Sequence, residues 1–216
     1  MNVRASGDTF REHAGYTQYH REIPIWKNKH DMARYARILT ETRPDVVVET
    51  GTRWGGFAAW MHDTFGMPVI TVDIDAAMHN VAREMAGITL LNGKSSIELQ
   101  VIDRVTAMVA QYDKVMVTLD SDHHAYHVGC EIQAYSDLVT RGCYLVVEDA
   151  LADFLVAGGW GDEARRFGRR IPEEGGPLPA IEATLLKDGR FERDLEIEGM
   201  TSISHSPVGW WKRVGP

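Results

Sequence analysis

Acidic side chains stand at the ends of four apolar, strand-like segments of this sequence. Glu49 and Asp73 end two of these segments, Asp120 ends a third, and Glu148 and Asp149 end the last. Acids in such places often cap the following helix, yet four acidic strand ends favour a shared site. Like charges held close together repel unless a cation neutralises them, and carboxylate oxygens suit Mg²⁺. We therefore predict that Asp120, Glu148 and Asp149 hold magnesium or another divalent cation.

A glycine-containing turn after the first of these segments predicts a cofactor loop. The turn reads ETGTRWGG at residues 49–56 and leads into a helical pattern, so small residues would let a ligand approach a helix N-terminus. It matches neither G-x-G-x-x-G nor G-x-x-x-x-G-K-[ST], which argues against a dinucleotide or a nucleoside triphosphate. The carboxylate of Glu49 would repel a pyrophosphate but attract a cation such as the amino group of S-adenosylmethionine (SAM). Asp73, one strand later, is placed to accept hydrogen bonds from both ribose hydroxyls.

The segment LDSDHHAYH at residues 119–127 combines two acids and three histidines at the end of a strand. A solvated helix start is one interpretation, because aspartate and serine cap helices and exposed histidine is common. A catalytic site is the other. His123 and His127 lie four residues apart and so share a helical face, but without H-E-x-x-H the pattern does not predict a zinc protease.

Five short apolar runs, alternating with helical patterns, must position these side chains. The runs are apolar on both faces, as in parallel strands that are buried on both sides. They recur at the length of a βα unit and predict an α/β fold with a doubly wound parallel sheet. The predicted strands are 45–50, 68–73, 88–93, 114–120 and 143–149, and the helices between them are 56–65, 76–85, 96–110 and 125–139.

The segments before and after this alternation are less regular. Residues 1–30 predict an arm that Pro24 holds extended, followed by a helix with Asp31 as N-cap that ends before Pro44. The glycine-rich stretch 151–176, with Trp160, predicts a lid loop. Residues 177–187 predict a further helix, and 191–197 and 209–214 predict an antiparallel edge. The parts of this single domain are the arm and first helix 1–44, the cofactor-binding core 45–149, the lid 150–176, and the C-terminal helix and edge strands 177–216.

Composition limits the class of protein. A chain of 216 residues with 44% apolar and 25% charged residues predicts one globular domain. Its net charge of −8 has the wrong sign for a protein that binds nucleic acid through phosphates. We find no apolar run of membrane-spanning length and no signal-peptide core, so we expect a cytoplasmic protein without a membrane partner. Cys130 and Cys143 lack C-x-x-C spacing and are expected to be buried free thiols.

Seven motifs in register resemble a known family. They are PIWKNKHD, RPDVVVETGTRWGG, TVDID, LDSDHHAYHV, YLVVEDA, GPLPAIEATL and WWKRV, and they run from about residue 20 to the end. The chain resembles the cephalosporin hydroxylase family of SAM-dependent methyltransferase-like proteins, to which macrocin-type sugar O-methyltransferases are more distantly related. The resemblance implies a Rossmann-like class I methyltransferase sheet and a divalent metal held by an Asp and a Glu-Asp pair. It also implies relatives that O-methylate sugar or antibiotic hydroxyls.

The resemblance also assigns roles to individual residues. Asp120, Glu148 and Asp149 match the metal positions, and His123 falls on the D-S-x-H-x-x-x-H-V pattern. His123 is therefore the candidate general base or outer partner of the metal, with Asp120 as the alternative base. Phe57 departs from the family, whose members usually carry a small hydroxyl residue there. The implied cofactor-binding residues are Glu49, Gly51, Thr52, Gly55, Asp73, Ser95 and Ser96.

The resulting hypothesis is a SAM- and Mg²⁺-dependent O-methyltransferase for a hydroxyl of a small natural product or its sugar, in antibiotic or secondary-metabolite biosynthesis. Tyr16, Tyr19 and Trp26 would form an aromatic wall for this acceptor, or equally core or subunit contacts in a homo-oligomer. Three alternatives stay open. They are a metal-independent methyltransferase, a hydroxylase or its accessory protein, and a SAM-binding protein without methyl transfer of its own. The second would need a redox cofactor, and no 2-His-1-carboxylate spacing supports one.

Overall fold

The computed structural model describes residues 17–78, 80–159, 162 and 175–216. The strands are β1 (Gln18–His20), β2 (Ile23–Ile25), β3 (Val46–Thr50), β4 (Val69–Asp73), β5 (Ile88–Asn92), β6 (Val115–Leu119), β7 (Tyr144–Val147), β8 (Phe191–Arg193) and β9 (Trp210–Arg213). The α-helices are α1 (Lys29–Thr42), α2 (Gly56–Phe65), α3 (Asn80–Arg83), α4 (Leu99–Val109), α5 (Ala125–Tyr135), α6 (Leu151–Ala157), α7 (Pro177–Ala183) and α8 (Leu195–Glu198). Short 3₁₀ turns follow α5 (Ser136–Leu138) and α7 (Leu185–Lys187).

Seven strands form the central sheet, in the order β5-β4-β3-β6-β7-β9-β8. The five strands from β3 to β7 run parallel, and β9 is antiparallel to both of its neighbours, β7 and β8. This arrangement confirms the predicted doubly wound sheet with a parallel core and an antiparallel C-terminal edge. The strand order reverses between β3 and β6, which is the position where open α/β sheets bind ligands.

The centre of the sheet is buried on both faces. All residues of β3, β6 and β7 are buried, which explains their continuous apolar runs. The parallel ladders pair Glu49 of β3 with Thr71 of β4 and with Thr118 of β6. The polar side chains near the carboxyl ends of these strands therefore lie side by side.

Helix α1 begins two residues before its predicted N-cap. Asn28 is the N-cap, and its side-chain oxygen accepts hydrogen bonds from the backbone N–H groups of His30 and Asp31, both at 2.9 Å. The prediction that Asp31 caps this helix is wrong, because the Asp31 carboxylate is buried in the first turn and bound to Arg34. The helix ends before Pro44, as predicted.

The first part of the predicted lid is a helix. Leu151, Ala152 and Leu155 form the buried side of α6, a helical spacing that the glycines after it obscured in the sequence. The prediction of an irregular loop from residue 150 onward is therefore wrong for the first seven residues of the 151–176 stretch. Trp160 lies outside the described residues.

The predicted strand 191–197 divides into β8 and α8. The side chain of Asp194 accepts the backbone N–H groups of Glu196 and Ile197, each at 3.0 Å, and this cap starts a helical turn instead of continuing the strand. Among the described residues, every helix is too short or too polar to cross a membrane. Both cysteines are free thiols, but Cys143 is buried whereas Cys130 is only half-buried.

Candidate active site

Two acids and a histidine meet where β6 and β7 end. His123 Nε2 lies 3.2 Å from Asp149 Oδ2 and 3.9 Å from Asp120 Oδ1. One potential ligand atom from each of these three residues lies within 4.8 Å of the other two. Two carboxylate oxygens and an imidazole nitrogen suit a divalent cation such as Mg²⁺ or Mn²⁺. The structure thus brings Asp120 and Asp149 together and adds His123 to them.

The turn that carries Asp149 has an unusual backbone. Asp149 has a φ of 59°, in the left-handed region that costs a non-glycine residue about 1–2 kcal/mol. A segment near the C-terminus holds the residues that follow, because the N–H of Leu151 donates to the carbonyl of His205 at 3.0 Å. His205 Nδ1 lies 4.0 Å from Asp149 Oδ1, so a second histidine borders the cluster. The sequence motifs gave no indication of this residue.

Glu148 points into a separate, buried network. Its Oε1 accepts hydrogen bonds from Lys27 Nζ at 2.5 Å, from the Tyr35 hydroxyl at 2.5 Å and from Thr118 Oγ1 at 3.2 Å. Burial, together with the charge of Asp120, raises the pKa of Glu148 above its usual range. Although Glu148 follows a neighbouring strand, as expected, it is not one of the three residues of the cluster described above.

Lys27 is a site residue that the sequence prediction missed. Its ammonium lies 2.7 Å from Asp120 Oδ2 as well as 2.5 Å from Glu148 Oε1, and the side chain is 3% exposed. Burial alone would lower the pKa of Lys27, but the charges of Asp120 and Glu148 outweigh it and raise that pKa. The lysine is therefore charged. Lys27 lies in the motif PIWKNKHD, but nothing in this motif indicates that the arm crosses the ends of β6 and β7.

Two glycines of the first turn allow other backbone segments to pack closely against it. Gly51 has a φ of 89°, and a Cβ there would lie 1.9 Å from the carbonyl oxygen of Asp120. A Cβ on Gly56 would lie 2.3 Å from the carbonyl oxygen of Pro24. At these two positions the missing side chain therefore leaves room for another backbone segment, while both glycines also line the cleft, and ligand binding at this turn stays a prediction. Gly51 is required so that the turn after β3 packs against the end of β6.

Glu49 lies beneath this turn and is 2% exposed. Its Oε2 accepts a hydrogen bond from Thr71 Oγ1, and the hydroxyls of Thr71 and Thr52 are bonded to each other, each at 2.6 Å. Burial raises the pKa of Glu49 to about 8, although Thr71 and Lys27 favour its ionised form. The predicted cofactor residues Glu49 and Thr52 thus belong to one buried hydrogen-bond network.

Asp73 orders the same turn from the neighbouring strand. Its two carboxylate oxygens accept the backbone N–H groups of Arg53, at 2.9 Å, and Asp75, at 2.8 Å. Because Asp73 is only half-buried, its remaining lone pairs can still accept hydrogen bonds from a ligand. The next side chain, Ile74, is apolar and 67% exposed.

The two predicted serines differ in accessibility. Ser96 is buried, and its hydroxyl donates to Glu131 Oε1 at 2.5 Å and lies 3.1 Å from His127 Nε2. Ser95 is half-buried, and its backbone N–H donates to Glu98 Oε1 at 2.9 Å. The Ser96 hydroxyl therefore joins α5 to the turn after β5, and His127 belongs to this contact rather than to the acidic cluster.

Aromatic rings border the cleft between the arm and the first turn. Trp26 and Trp54 meet edge to face with ring centroids 4.7 Å apart, and the Arg53 guanidinium lies about equally close to both rings. Phe57, the departure from the family pattern, is buried against Tyr35 with ring centroids 4.7 Å apart. Trp26 thus borders the cleft, as the aromatic-wall prediction requires. Tyr16 lies outside the described residues.

Glu49 provides a test of pH dependence. A folded-state pKa near 8, against an ordinary value of 4.5, means that the folded chain keeps a proton that the unfolded chain has lost. This contribution to stability is complete below pH 4.5 and is lost as the pH rises through 8. We expect the melting temperature of Glu49→Gln, minus that of the wild type, to increase between pH 5 and pH 8.5. For the exposed control Glu182→Gln we expect a difference in melting temperature that does not change with pH. The same result for Glu49→Gln would contradict the raised pKa of Glu49.

Known proteins resemble this chain in sequence and in fold. Rhamnosyl O-methyltransferase of Mycobacterium tuberculosis (strain ATCC 25618 / H37Rv) is 35% identical over 135 residues, which cover 59% of this chain and 55% of that protein. The chain therefore spans about half the length of this curated relative. A structure of CmcI described as "Mg-SAM" superposes with a TM-score of 0.63 and 22% identity, covering 93% of this chain and 77% of that one.

A second superposition involves MycE, a methyltransferase from the mycinamycin biosynthetic pathway in complex with Mg, SAH and mycinamycin VI. Its TM-score is 0.50 and its identity 20%, covering 71% of this chain and 41% of that one. Both superpositions support the fold. A family model described as rhamnosyl O-methyltransferase/CmcI matches residues 13–214, which confirms the resemblance seen in the seven motifs. The chain belongs to the rhamnosyl O-methyltransferase/CmcI family.

Proposed function

We propose that this chain is a SAM- and Mg²⁺-dependent O-methyltransferase that acts on a hydroxyl of a sugar or sugar-bearing small molecule. The observation that carries the proposal is the cluster of Asp120, His123 and Asp149 beside the point where the strand order reverses. Relatives named rhamnosyl O-methyltransferase, and structures of similar fold described with Mg and SAM or SAH, support it.

Side chains around the first turn fit the parts of SAM. The half-buried carboxylate of Asp73 can accept ribose hydroxyls, and the exposed Ile74 beside it offers an apolar surface for the adenine. Glu49 can pair with the amino group, and this nearby cation would favour the ionised form of its buried carboxyl. Of the predicted serines, Ser95 is the more accessible for the adenine end.

The acidic cluster fits a divalent cation. Asp120 and Asp149 provide carboxylate ligand atoms, Glu148 is the further candidate that the family pattern implies, and His123 borders them. When bound, SAM supplies the methyl group, and the cation lowers the pKa of the acceptor hydroxyl. His123 is our candidate for accepting the hydroxyl proton, because its Nε2 lies 3.2 Å from Asp149 Oδ2 and 3.9 Å from Asp120 Oδ1, beside the proposed cation. Asp120 is the weaker candidate base, since its Oδ2 is paired with Lys27.

The acceptor is proposed from the rim of the cleft and from the relatives. A deoxysugar has an apolar face and several hydroxyls, which suit the aromatic surface of Trp26 and Trp54 beside the cationic Arg53. The rhamnosyl relatives support a sugar, and the mycinamycin complex supports a natural product that carries one. We further propose that this methyl transfer belongs to secondary metabolism.

Calorimetric titration and a transfer assay test the proposed function together. The chain is titrated with SAM and Mg²⁺, and transfer of labelled methyl groups to rhamnosides and macrolide glycosides is then measured with and without EDTA. We expect heat from SAM and transfer that EDTA abolishes and added Mg²⁺ restores. Absence of heat from SAM would contradict the proposal, and transfer in EDTA would contradict the metal's role. Heat from SAM without transfer to any sugar acceptor would instead favour an accessory SAM-binding protein.

A further inference from the structure

Lys27 lies where the negative charges of the site converge. Its Nζ contacts Asp120 Oδ2 at 2.7 Å and Glu148 Oε1 at 2.5 Å, from a side chain that is 3% exposed. Both carboxylates belong to the set that the sequence predicts as metal ligands. A positive charge of the chain itself is therefore already paired with two of the carboxylates that are predicted to bind a divalent cation.

The surroundings of this ammonium are suited to a cation. The ring centroid of Phe57 lies 4.3 Å from Lys27 Nζ, and that of Tyr35 lies 5.7 Å away. Aromatic faces attract cations, most strongly where water is excluded. The Tyr35 hydroxyl donates to the same Glu148 oxygen that the lysine contacts, so it holds this carboxylate in place. Phe57, the family departure, thus packs directly against the ammonium.

Lys27 offsets the negative charge that surrounds it. In the part of the chain that the structure describes, Lys27 is the one lysine or arginine within 4.0 Å of Asp120 or Glu148. Without it, the buried carboxylate of Glu148 and the half-buried one of Asp120 would lie close together with Glu49 nearby, and like charges shielded from water destabilise a fold unless they take up protons or a cation. Lys27 offsets part of that penalty by placing one positive charge against both carboxylates.

We propose that Lys27 is a resident cation, which balances Asp120 and Glu148 in the metal-free chain and with which a divalent cation must compete for these two carboxylates. The inference rests on the metal site of the proposed function. It has two consequences. The chain folds stably without metal, and its affinity for metal is weaker than the same carboxylates would give alone.

The test compares Lys27→Met with the wild type. Methionine fills the space of the buried lysine stem but carries no charge. We expect Lys27→Met to bind Mg²⁺ about tenfold more tightly in calorimetric titration. We also expect it to melt at a lower temperature in EDTA and to gain more melting temperature from Mg²⁺ than the wild type does. The control is Lys187→Met, which removes an exposed positive charge in the 3₁₀ turn after α7. Its Mg²⁺ affinity and melting temperature should match those of the wild type.

Equal or weaker Mg²⁺ binding by Lys27→Met would overturn the inference and leave the proposed function intact. Absence of Mg²⁺ binding by every protein would overturn both. Should Lys27→Met fail to fold, ¹⁵N-lysine NMR of the wild type decides, with the Lys27 ammonium signal identified by its absence in Lys27→Arg. We expect Mg²⁺ to shift or broaden this signal, and a signal unchanged at saturating Mg²⁺ would overturn the inference.

Discussion

Replacing Asp120 with asparagine is expected to slow methyl transfer about 10³-fold and to remove its response to Mg²⁺. Asp120 is the residue through which the parts of the site connect, since Oδ2 lies 2.7 Å from Lys27 Nζ and Oδ1 lies 3.9 Å from His123 Nε2. Asparagine keeps the shape and can still accept the lysine's hydrogen bond, but it removes the negative charge that the cation and the protonated imidazole require. The measurement is the initial rate at saturating SAM over a titration of Mg²⁺.

The control for this variant is Asp113→Asn. Asp113 is exposed and lies shortly before β6, so the substitution makes the same chemical change at the opposite end of the same strand. We expect it to keep the wild-type rate. We also expect Asp120→Asn to bind SAM with unchanged affinity, because Glu49 and Asp73 are untouched. An Asp120→Asn enzyme that keeps more than a tenth of the rate and still responds to Mg²⁺ would contradict the role assigned to Asp120.

The acidic strand ends could be predicted because they follow from local pattern and from one rule of topology. Continuous apolar runs identified the buried parallel strands, and parallel strands in an open sheet bring their carboxyl ends to one edge. Glu49, Asp120 and Glu148 could therefore be assigned to one edge of the sheet without any knowledge of the strand order. The orientation of each carboxylate was not predictable, and it separates Glu148 from the cluster around Asp149.

Lys27 could not be predicted, because its partners are distant in the sequence. It meets Asp120 and Glu148 across 93 and 121 residues, from an arm with no periodicity that specifies where it packs. The packing around the glycines of the first turn could not be predicted for a related reason. Their spacing indicates close approach to Gly51 but not whether a ligand or, as observed, the backbone of Asp120 makes it.

Arg34 is the clearest case of a residue whose importance arises only from tertiary structure. It lies on α1, is 0% exposed, and its guanidinium pairs with Asp31 Oδ1 at 3.0 Å. Asp31 in turn accepts the N–H of His205 at 2.7 Å, so the pair holds the segment that borders the acidic cluster. The other hydrogen bonds of the guanidinium go to four backbone carbonyls in this segment, those of Ile197, Glu198, Thr201 and Ile203, and to the Thr201 hydroxyl.

Replacing Arg34 with methionine is therefore expected to destabilise the fold by about 3–5 kcal/mol, because it leaves the buried carboxylate of Asp31 without its charge partner and several carbonyls without donors. For a chain of this size, that corresponds to a melting temperature lower by roughly 6–20 °C. The measurement is the urea midpoint together with the melting temperature. Arg37→Met, on the same helix, removes only exposed ion pairs to Glu41 and Glu196 and should change stability by less than about 1 kcal/mol. Equal losses in the two variants would show that the C-terminal segment is held by its apolar contacts, and that the Arg34–Asp31 pair does not position His205 beside Asp149.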